Sequence, residues 1–248
     1  MKDIKLIALD MDGTLLTSGD EISPYTEKVI KQALDQDIEV VLSTGRSIDT
    51  SYPFGQALNL STYIITCNGG QIWTMQKEIV EEHLMEAKQI EKMWYLAKEQ
   101  EATTWMISTD EIYRDYRPDD FYIHKWLKFG CYINDPKKLD YIVRELSHME
   151  NVELTNSLPT NVEVNPQGVH KANGLRRVCR ELGLKMENVM SVGDSLNDIK
   201  MIQEAGIGVA MGNAQDAVKK AADAITETND EDGVALAIER YALGNEAL

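Results

Sequence analysis

Short apolar runs alternate with amphipathic stretches in the first third of the chain, and this alternation constrains the fold more than any other feature. Residues 4–9, 40–43 and 63–66 are apolar runs of strand length in which Lys5 is the one charged residue. Ser23 followed by Pro24 is typical of a helix start, and the residues after them place apolar side chains on one helical face. Strands buried on both faces and separated by helices predict parallel β-α-β units.

The pattern changes in the middle of the chain and then returns. Between residues 83 and 160, strand-like runs follow one another with separate helical segments, which predicts an antiparallel α+β module. A helical segment at 171–182 and an apolar run at 189–192 then resume the parallel pattern. We therefore predict an α/β fold, with a doubly wound, Rossmann-like parallel-sheet core formed by residues 1–82 and 161–248. Residues 83–160 are expected to form an inserted α+β cap.

Charge and cysteine usage exclude several classes of protein. The 248 residues carry 41 acidic against 25 basic side chains, a net charge of −16, and such a surface repels nucleic-acid phosphates and anionic lipid. We therefore expect neither a nucleic-acid nor a membrane partner. The apolar run before Asp10 is too short for a signal peptide or a membrane span. Cys67, Cys131 and Cys179 form neither a CxxC pair nor an even disulfide framework, so we expect reduced core thiols in a cytoplasmic protein.

Polar residues suited to phosphate binding recur where predicted strands end. Four strands are followed by such residues: Asp10 and Asp12, Thr44 and Gly45, Asn68 and Gly69, and residues 193–198. For the first pair alone, a simple turn is an equally good interpretation, because Asp-Gly is a common turn dipeptide. Ligands of doubly wound sheets bind beyond the carboxyl ends of the strands, so four such coincidences favour one shared polar site.

In chain order, these segments resemble the four motifs of the haloacid dehalogenase superfamily, in its Mg²⁺-dependent phosphatase branch. The matching residues are Asp10-Met11-Asp12-Gly13-Thr14, Thr44-Gly45-Arg46, Lys171, and Gly193-Asp194 through Asp198. Asn68-Gly69-Gly70, the central insert and residues 209–214 resemble the Cof-type hydrolases with a type II cap of subtype B. Two departures stand out: His170 and Ala172 flank Lys171 where the family commonly has serine and glycine, and the insert is short for this cap type.

The resemblance implies a mechanism with named roles. Asp10 would attack the phosphorus of a phosphomonoester to form an aspartyl-phosphate. Asp12 would protonate the leaving oxygen and then deprotonate the water that cleaves this intermediate. Mg²⁺ would be held by an Asp10 oxygen, the Asp12 backbone carbonyl and the Asp194 carboxylate, all of them hard oxygen ligands.

Further residues are expected to contact the phosphate or the substrate. They are Met11, Thr44, Gly45, Arg46, Asn68, Lys171 and Asn197. Lys171 would place its ammonium against the phosphoryl oxygens. A cation at a helix start gains nothing from the helix dipole, which favours this role over that of a surface lysine. Asp198 is expected to lie behind the site, where it would orient Lys171 or a metal-bound water.

We expect a phosphatase of small phosphorylated metabolites, sugar phosphates above all, with the chemistry in the core and substrate selection in the cap. Two alternatives stay open: a phosphomutase of the same fold, and a non-catalytic module in which an aspartate is phosphorylated or a metabolite is sensed. Asp12 argues against the module, because a static sensor has no use for an acid/base group. The cap aromatics Tyr113, Tyr116, Phe121 and Trp126 could stack on a sugar or nucleoside, but core packing explains aromatics more often.

Overall fold

The computed structural model describes residues 3–244, which form two β-sheets with helices packed against both. The strands are β1 (Leu6–Leu9), β2 (Glu39–Ser43), β3 (Tyr63–Thr66), β4 (Gln71–Thr74), β5 (Ile79–Glu82), β6 (Thr103–Ser108), β7 (Ile112–Arg114), β8 (Trp126–Tyr132), β9 (Val152–Thr155), β10 (Asn161–Pro166), β11 (Val189–Gly193), β12 (Ile207–Ala210) and β13 (Ala224–Ile225). The helices are α1 (Pro24–Leu34), α2 (Ile48–Ala57), α3 (Ala87–Glu99), α4 (Pro136–Ser147), α5 (Lys171–Leu182), α6 (Ile199–Glu204), α7 (Asp216–Ala221) and α8 (Gly233–Tyr241).

The larger sheet has eight strands in the order β13-β12-β11-β1-β2-β3-β4-β5. Its first six strands run parallel, and β1 lies near the centre between β11 and β2. The α/β fold predicted from the alternation of strands and helices is confirmed. The last two strands, β4 and β5, add an antiparallel hairpin that the sequence pattern did not predict.

Helices cover both faces of this sheet because its central strands carry apolar side chains on both sides. All four residues of β1 are fully buried. Ile7 and Leu9 belong to an apolar cluster shared with α1 and α8, whereas Leu6 and Ala8 pack with α5 on the opposite face. Ser23 caps α1, as predicted, by accepting a hydrogen bond from a backbone N–H of the first helical turn.

The smaller sheet is antiparallel, in the order β7-β6-β8-β10-β9, and forms the cap. Helices α3 and α4 pack on one of its faces, and the other face points toward the core. Strand β10 belongs to this sheet, because Val162 and Val164 complete the apolar cluster under the helices. The cap sheet therefore ends at Pro166, whereas the sequence pattern placed the boundary at residue 160.

A β-bulge in β8 decides which cap residues face the core. Ile107 pairs with Lys128 and Ser108 pairs with Trp126, so Leu127 is an extra residue in the strand. Both Leu127 and Lys128 consequently reach the core module, whereas Trp126 is buried among the cap's own apolar side chains.

Two short segments join the cap to the core. Residues 83–86 connect β5 to α3, and residues 167–170 connect β10 to α5. The first segment contributes Met85, whose backbone pairs with that of Trp126 in the cap. The second segment leads directly into Lys171, the first residue of α5.

The three cysteines are unpaired and buried, as expected. Burial raises the pKa of the Cys67 and Cys131 thiols to about 12, so both remain protonated at neutral pH. Across residues 3–244, none of the helices combines the length and the apolar character needed to cross a bilayer.

Candidate active site

The carboxyl ends of the central parallel strands bring the predicted polar residues to one edge of the larger sheet. Asp10 follows β1, Thr44 follows β2, Asn68 lies just beyond β3, and Asp194 follows β11. Because β1 lies between β11 and β2 and their strands are parallel, the loops that follow them are neighbours. The four segments therefore meet, together with the N-terminus of α5.

Lys171 joins two of the aspartates at the centre of this edge. Its fully buried Nζ donates to Asp10 Oδ1 at 2.5 Å and to Asp198 Oδ1 at 2.7 Å. His170 caps the same helix, since its Nδ1 accepts a hydrogen bond from the backbone N–H of Asn173. Burial alone would lower the pKa of Lys171, but the two carboxylates more than offset this and raise it. The lysine is thus charged. Its contacts with the two carboxylates explain why a cation is found at a helix start.

Asp10, Asp194 and Asp198 form a cluster in which each offers an oxygen within 4.8 Å of the others. Asp198 is held in place by the backbone N–H groups of Asp194 and Ser195, which both donate to its Oδ2 at 3.0 Å. Burial, followed by the charge of Asp198, raises the pKa of Asp10 well above its usual range and that of Asp194 to about 6. Negative charge is therefore in excess at this point of the structure.

The loop after β1 wraps around Asp194. Gly13 has a φ of +76°, and a Cβ at this position would lie 2.8 Å from Asp194 Oδ2, so only glycine allows the loop to pass so close. Thr14 Oγ1 donates to Asp194 Oδ1 at 3.2 Å. The Asp-Gly pair is thus more than a turn, because it lets the first motif contact the fourth.

The chemistry of this cluster fits a divalent cation. Three carboxylates face a single ammonium, that of Lys171, and a doubly charged cation would balance the remaining charge. Carboxylate oxygens are also the ligands that Mg²⁺ prefers. Asp10 and Asp194 belong to the predicted ligand set, and the cluster adds Asp198, which was predicted to act from behind the site.

Asp12 lines the same cavity as Asp10, but its side chain makes different contacts. It is 55% exposed and pairs with Arg46, whose Nη2 lies 2.6 Å from Asp12 Oδ1. The same Nη2 lies 2.6 Å from Asp20 Oδ1, and the Arg46 guanidinium stacks over the ring of Phe54. Arg46, predicted to contact the substrate, is therefore engaged by two carboxylates, and Asp12 is ion-paired at the mouth of the site.

The second motif supplies buried main-chain and hydroxyl groups. Thr44 is fully buried, and its Oγ1 accepts a hydrogen bond from the Arg46 backbone N–H at 3.1 Å. Gly45 lines the cavity, and its carbonyl accepts from Lys128 Nζ at 3.1 Å. The side chain of Met11, by contrast, is fully buried in the apolar core, so only its main chain is on the side of the site.

Asn197 hydrogen-bonds to Asn68, and Asn68 in turn hydrogen-bonds to β10, the strand that returns from the cap. Asn197 Nδ2 donates to Asn68 Oδ1 at 3.2 Å, and Asn68 Nδ2 donates to Glu163 Oε2 at 2.8 Å and to Asn165 Oδ1 at 3.1 Å. Asn197 lines the cavity, whereas Asn68 lies behind it. Both residues were predicted to bind phosphate or substrate, yet their amides connect the core to β10.

A second buried lysine, Lys128 of β8, was not predicted. Its Nζ lies 2.8 Å from Glu163 Oε1, and the two side chains are 1% and 5% exposed. Since Lys128 also bonds to the Gly45 carbonyl, this pair spans from cap to core. The sequence did contain a signal for this pair, because Lys128 lies inside an otherwise apolar strand-like run. Glu163 carries the opposite charge inside the run at 162–164.

The two modules enclose a cavity of about 490 Å³. The core contributes Asp10, Asp12, Gly45, Arg46 and Asn197 to its walls, and the cap contributes Trp105, Ile107, Ile112, Arg114, Lys128, Ser157 and Glu163. Of the four cap aromatics singled out in the sequence, Tyr113, Phe121 and Trp126 are buried in the cap interior, where core packing explains them. The fourth, Tyr116, is exposed and does not line this cavity.

Known proteins share this arrangement along the whole chain. The family model of the haloacid dehalogenase-like hydrolases matches residues 7–124 and 114–238. The chain is 47% identical over 241 residues to the 5-amino-6-(5-phospho-D-ribitylamino)uracil phosphatase YcsE of Bacillus subtilis strain 168, with 97% of each chain covered.

Solved structures agree with this match. A haloacid dehalogenase-like hydrolase from B. subtilis superimposes with a TM-score of 0.87 at 27% identity, covering 96% of this chain and all of that one. The HAD subclass IIB sugar phosphatase BT4131, at 23% identity, shares the fold with a TM-score of 0.85 over 96% of this chain and 99% of its own. The chain therefore belongs to the haloacid dehalogenase-like hydrolases, as a Cof-type phosphatase.

Proposed function

We propose that this phosphatase is metal-dependent, acts on small phosphorylated metabolites in the cytoplasm, and uses Asp10 as its nucleophile. The observation that carries the proposal is the contact of Lys171 with both Asp10 and Asp198 beside Asp194, at the edge where the strands β1 and β11 end. A buried carboxylate held by a lysine and surrounded by further acids is suited to attack a phosphoryl group once its charge is balanced.

The reaction has two steps at phosphorus. An Asp10 oxygen forms a bond to phosphorus while the bond to the leaving oxygen breaks, and that oxygen takes a proton from Asp12. A water then attacks the aspartyl-phosphate and gives its proton to Asp12, which releases phosphate and restores Asp10. Asp12 is paired with Arg46, so this pair has to open before the Asp12 side chain can reach the leaving oxygen.

The metal would be held by Asp10 and Asp194, with Asp198 within reach. When bound, it shields the negative charge of the phosphate from that of the carboxylates. Lys171 would supply the second positive charge at the phosphoryl oxygens and hold Asp10 in position. The Thr44 hydroxyl and the Gly45 main chain, at the same edge of the sheet, would bind phosphate oxygens.

The comparisons favour a substrate in which a ring is linked to a phosphorylated polyol chain. The B. subtilis relative is named for 5-amino-6-(5-phospho-D-ribitylamino)uracil, in which a ribityl chain carries the phosphate. In this compound the phosphate is carried by a sugar-alcohol chain and not by a sugar, so the expectation of a sugar phosphate stays a prediction. We propose this compound as the substrate of this chain.

Phosphate release across a panel of phosphomonoesters, with Mg²⁺ and with EDTA, tests the proposal. We expect Mg²⁺-dependent release, fastest from the ribitylaminouracil phosphate. Release that EDTA does not affect would contradict the metal requirement. Formation of an isomeric phosphate without net release would identify a phosphomutase instead, and a long-lived phosphoprotein without turnover would identify the sensing module.

A further inference from the structure

The core-facing side of the cap sheet is organised in rows of cross-strand neighbours. One row, from β7 to β10, reads Arg114, Trp105, Gly130 and Glu163, and the next reads Ile112, Ile107 and Lys128. All of them except Gly130 line the cavity that also contains Asp10. The cap wall of this cavity therefore has two parts. One is formed by an indole and two isoleucines, and the other by the buried ion pair.

Trp105 lies flat across the backbone of Gly130. A Cβ at position 130 would lie 2.2 Å from two carbons of the indole and 2.6 Å from its Nε1, so no other residue leaves room for the ring in this place. One face of the indole is thus covered by the strand. Trp105 is half-buried and lines the cavity, so the part of the indole that the strand does not cover borders the cavity.

Among residues 3–244, Trp105 is the one aromatic side chain in the cavity wall. Its neighbours Ile107 and Ile112 make this part of the wall apolar. A polyol placed here would leave its hydroxyl groups without partners, whereas the face of a planar ring needs none. Arg114 pairs with Trp105 across the strands through the backbone, and its guanidinium makes no hydrogen bond or ion pair with any described residue, so its donors are available to ring oxygens.

We propose that Trp105, held flat by Gly130, is the platform on which a planar, acceptor-bearing ring of the leaving group stacks while the phosphate lies at Asp10. The inference rests on the proposed function and deepens it, because it assigns the part of the cavity that distinguishes a ring-bearing phosphate from a plain polyol phosphate. The volume of about 490 Å³ is within the range of roughly 300–1,000 Å³ found for small-molecule sites.

The test compares two substrates that share the phosphorylated ribityl chain, one with the aminouracil group at its far end and one with a hydroxyl group there. For 5-amino-6-(5-phospho-D-ribitylamino)uracil and D-ribitol 5-phosphate, kcat/KM is measured in the wild type, and the selectivity is their ratio. We expect the wild type to prefer the ring-bearing substrate and Trp105→Ala to lower the ratio about tenfold or more, as is usual when a stacking aromatic is removed. Trp105→Phe keeps a flat ring and should retain most of the ratio.

Two further variants separate stacking from damage to the fold. Gly130→Ala keeps Trp105 but displaces its indole from the strand. This variant should therefore also lower the selectivity ratio. Trp94→Ala removes an indole from α3, on the other side of the cap sheet, and should leave the ratio unchanged. Thermal melting of every variant reports on folding.

The possible outcomes separate this inference from the proposed function. If the wild type releases phosphate from neither compound, the proposed substrate and this inference both fail. If it hydrolyses both with equal efficiency, or if folded Trp105→Ala and Gly130→Ala keep the wild-type ratio, the phosphatase assignment stands and the Trp105 platform is wrong.

Discussion

The core and the cap each bury a lysine, and the two sites differ in how its charge is balanced. Lys171 in the core touches Asp10 and Asp198, with Asp194 close by, so carboxylates outnumber ammonium groups three to one. Lys128 in the cap has one carboxylate partner, Glu163, and also bonds to the Gly45 carbonyl. Negative charge is therefore in excess at the core site, whereas the positive and negative charges balance at the cap site.

This difference distinguishes the proposed catalytic site from a structural contact. Excess negative charge in a buried place is costly, and it persists where a cation or a reacting group will balance it. A matched pair needs nothing further, and its contacts across the two modules give it a structural role. The comparison predicts that variants of the core site lose turnover, whereas variants of the cap pair lose stability.

The largest expected effect comes from removing the proposed nucleophile. Asp10→Asn keeps the shape of the side chain but cannot form the aspartyl-phosphate, so turnover should fall by roughly a thousandfold or more. Phosphate release from a good substrate measures it, and thermal melting checks that the variant is folded. Sustained release by this variant would exclude Asp10 as the nucleophile.

Lys171→Met should have the next largest effect on turnover. The variant removes the ammonium that is expected to face the phosphoryl oxygens, and a lost electrostatic contact of this kind typically lowers kcat by about 10²- to 10³-fold. Steady-state kinetics with saturating Mg²⁺ measure the loss. Near-normal kcat would mean that Lys171 merely neutralises the aspartates, like its counterpart in the cap.

The cap pair should respond in stability instead. Lys128→Met leaves Glu163 buried without its partner, and breaking a pair in this way costs about 3 kcal/mol of unfolding free energy. The double variant Lys128→Met/Glu163→Gln removes both charges and should recover most of this loss. Urea unfolding measures all three proteins, and a double variant no more stable than the single one would contradict a simple charge pair.

The smallest effect is the thermal shift caused by metal. Mg²⁺ at about a hundred times its dissociation constant should stabilise the folded protein by roughly 2.7 kcal/mol, because it binds only the folded carboxylate cluster. Asp194→Asn should abolish most of the shift, whereas the Lys128→Met/Glu163→Gln double variant should keep it. A shift that survives Asp194→Asn would place the metal elsewhere.

Sequence reasoning located the core site because parallel strands bring their ends together. The loops at Asp10, Thr44 and Asp194 are distant in the chain, yet the topology makes them neighbours, whereas Lys171, at a helix start, was identified through the family resemblance. The direction of side chains was harder to predict: Asp12 turned toward Arg46, and Met11 turned into the core.

Which cap side chains face the core could not be predicted from the sequence, because the strand register depends on the bulge at Leu127. One extra residue decides that Lys128 faces the core while Trp126 faces the helices, and alternation in the sequence cannot show this. Core packing was the preferred explanation for the cap aromatics and holds for Tyr113, Phe121 and Trp126, whereas Trp105, which the sequence pattern did not single out, lines the cavity. The end of the cap was misplaced for a similar reason, since β10 precedes a core helix but pairs with cap strands.

The connecting segments 83–86 and 167–170 have a mechanical consequence. The cap is covalently attached at both of its ends, so its meeting with the core is intramolecular and does not depend on protein concentration. Any rotation that widens the cleft has to be absorbed by the backbone torsions of these few residues. Because the second segment runs straight into Lys171, admission of a substrate and alignment of the central ammonium depend on the same short stretch of chain.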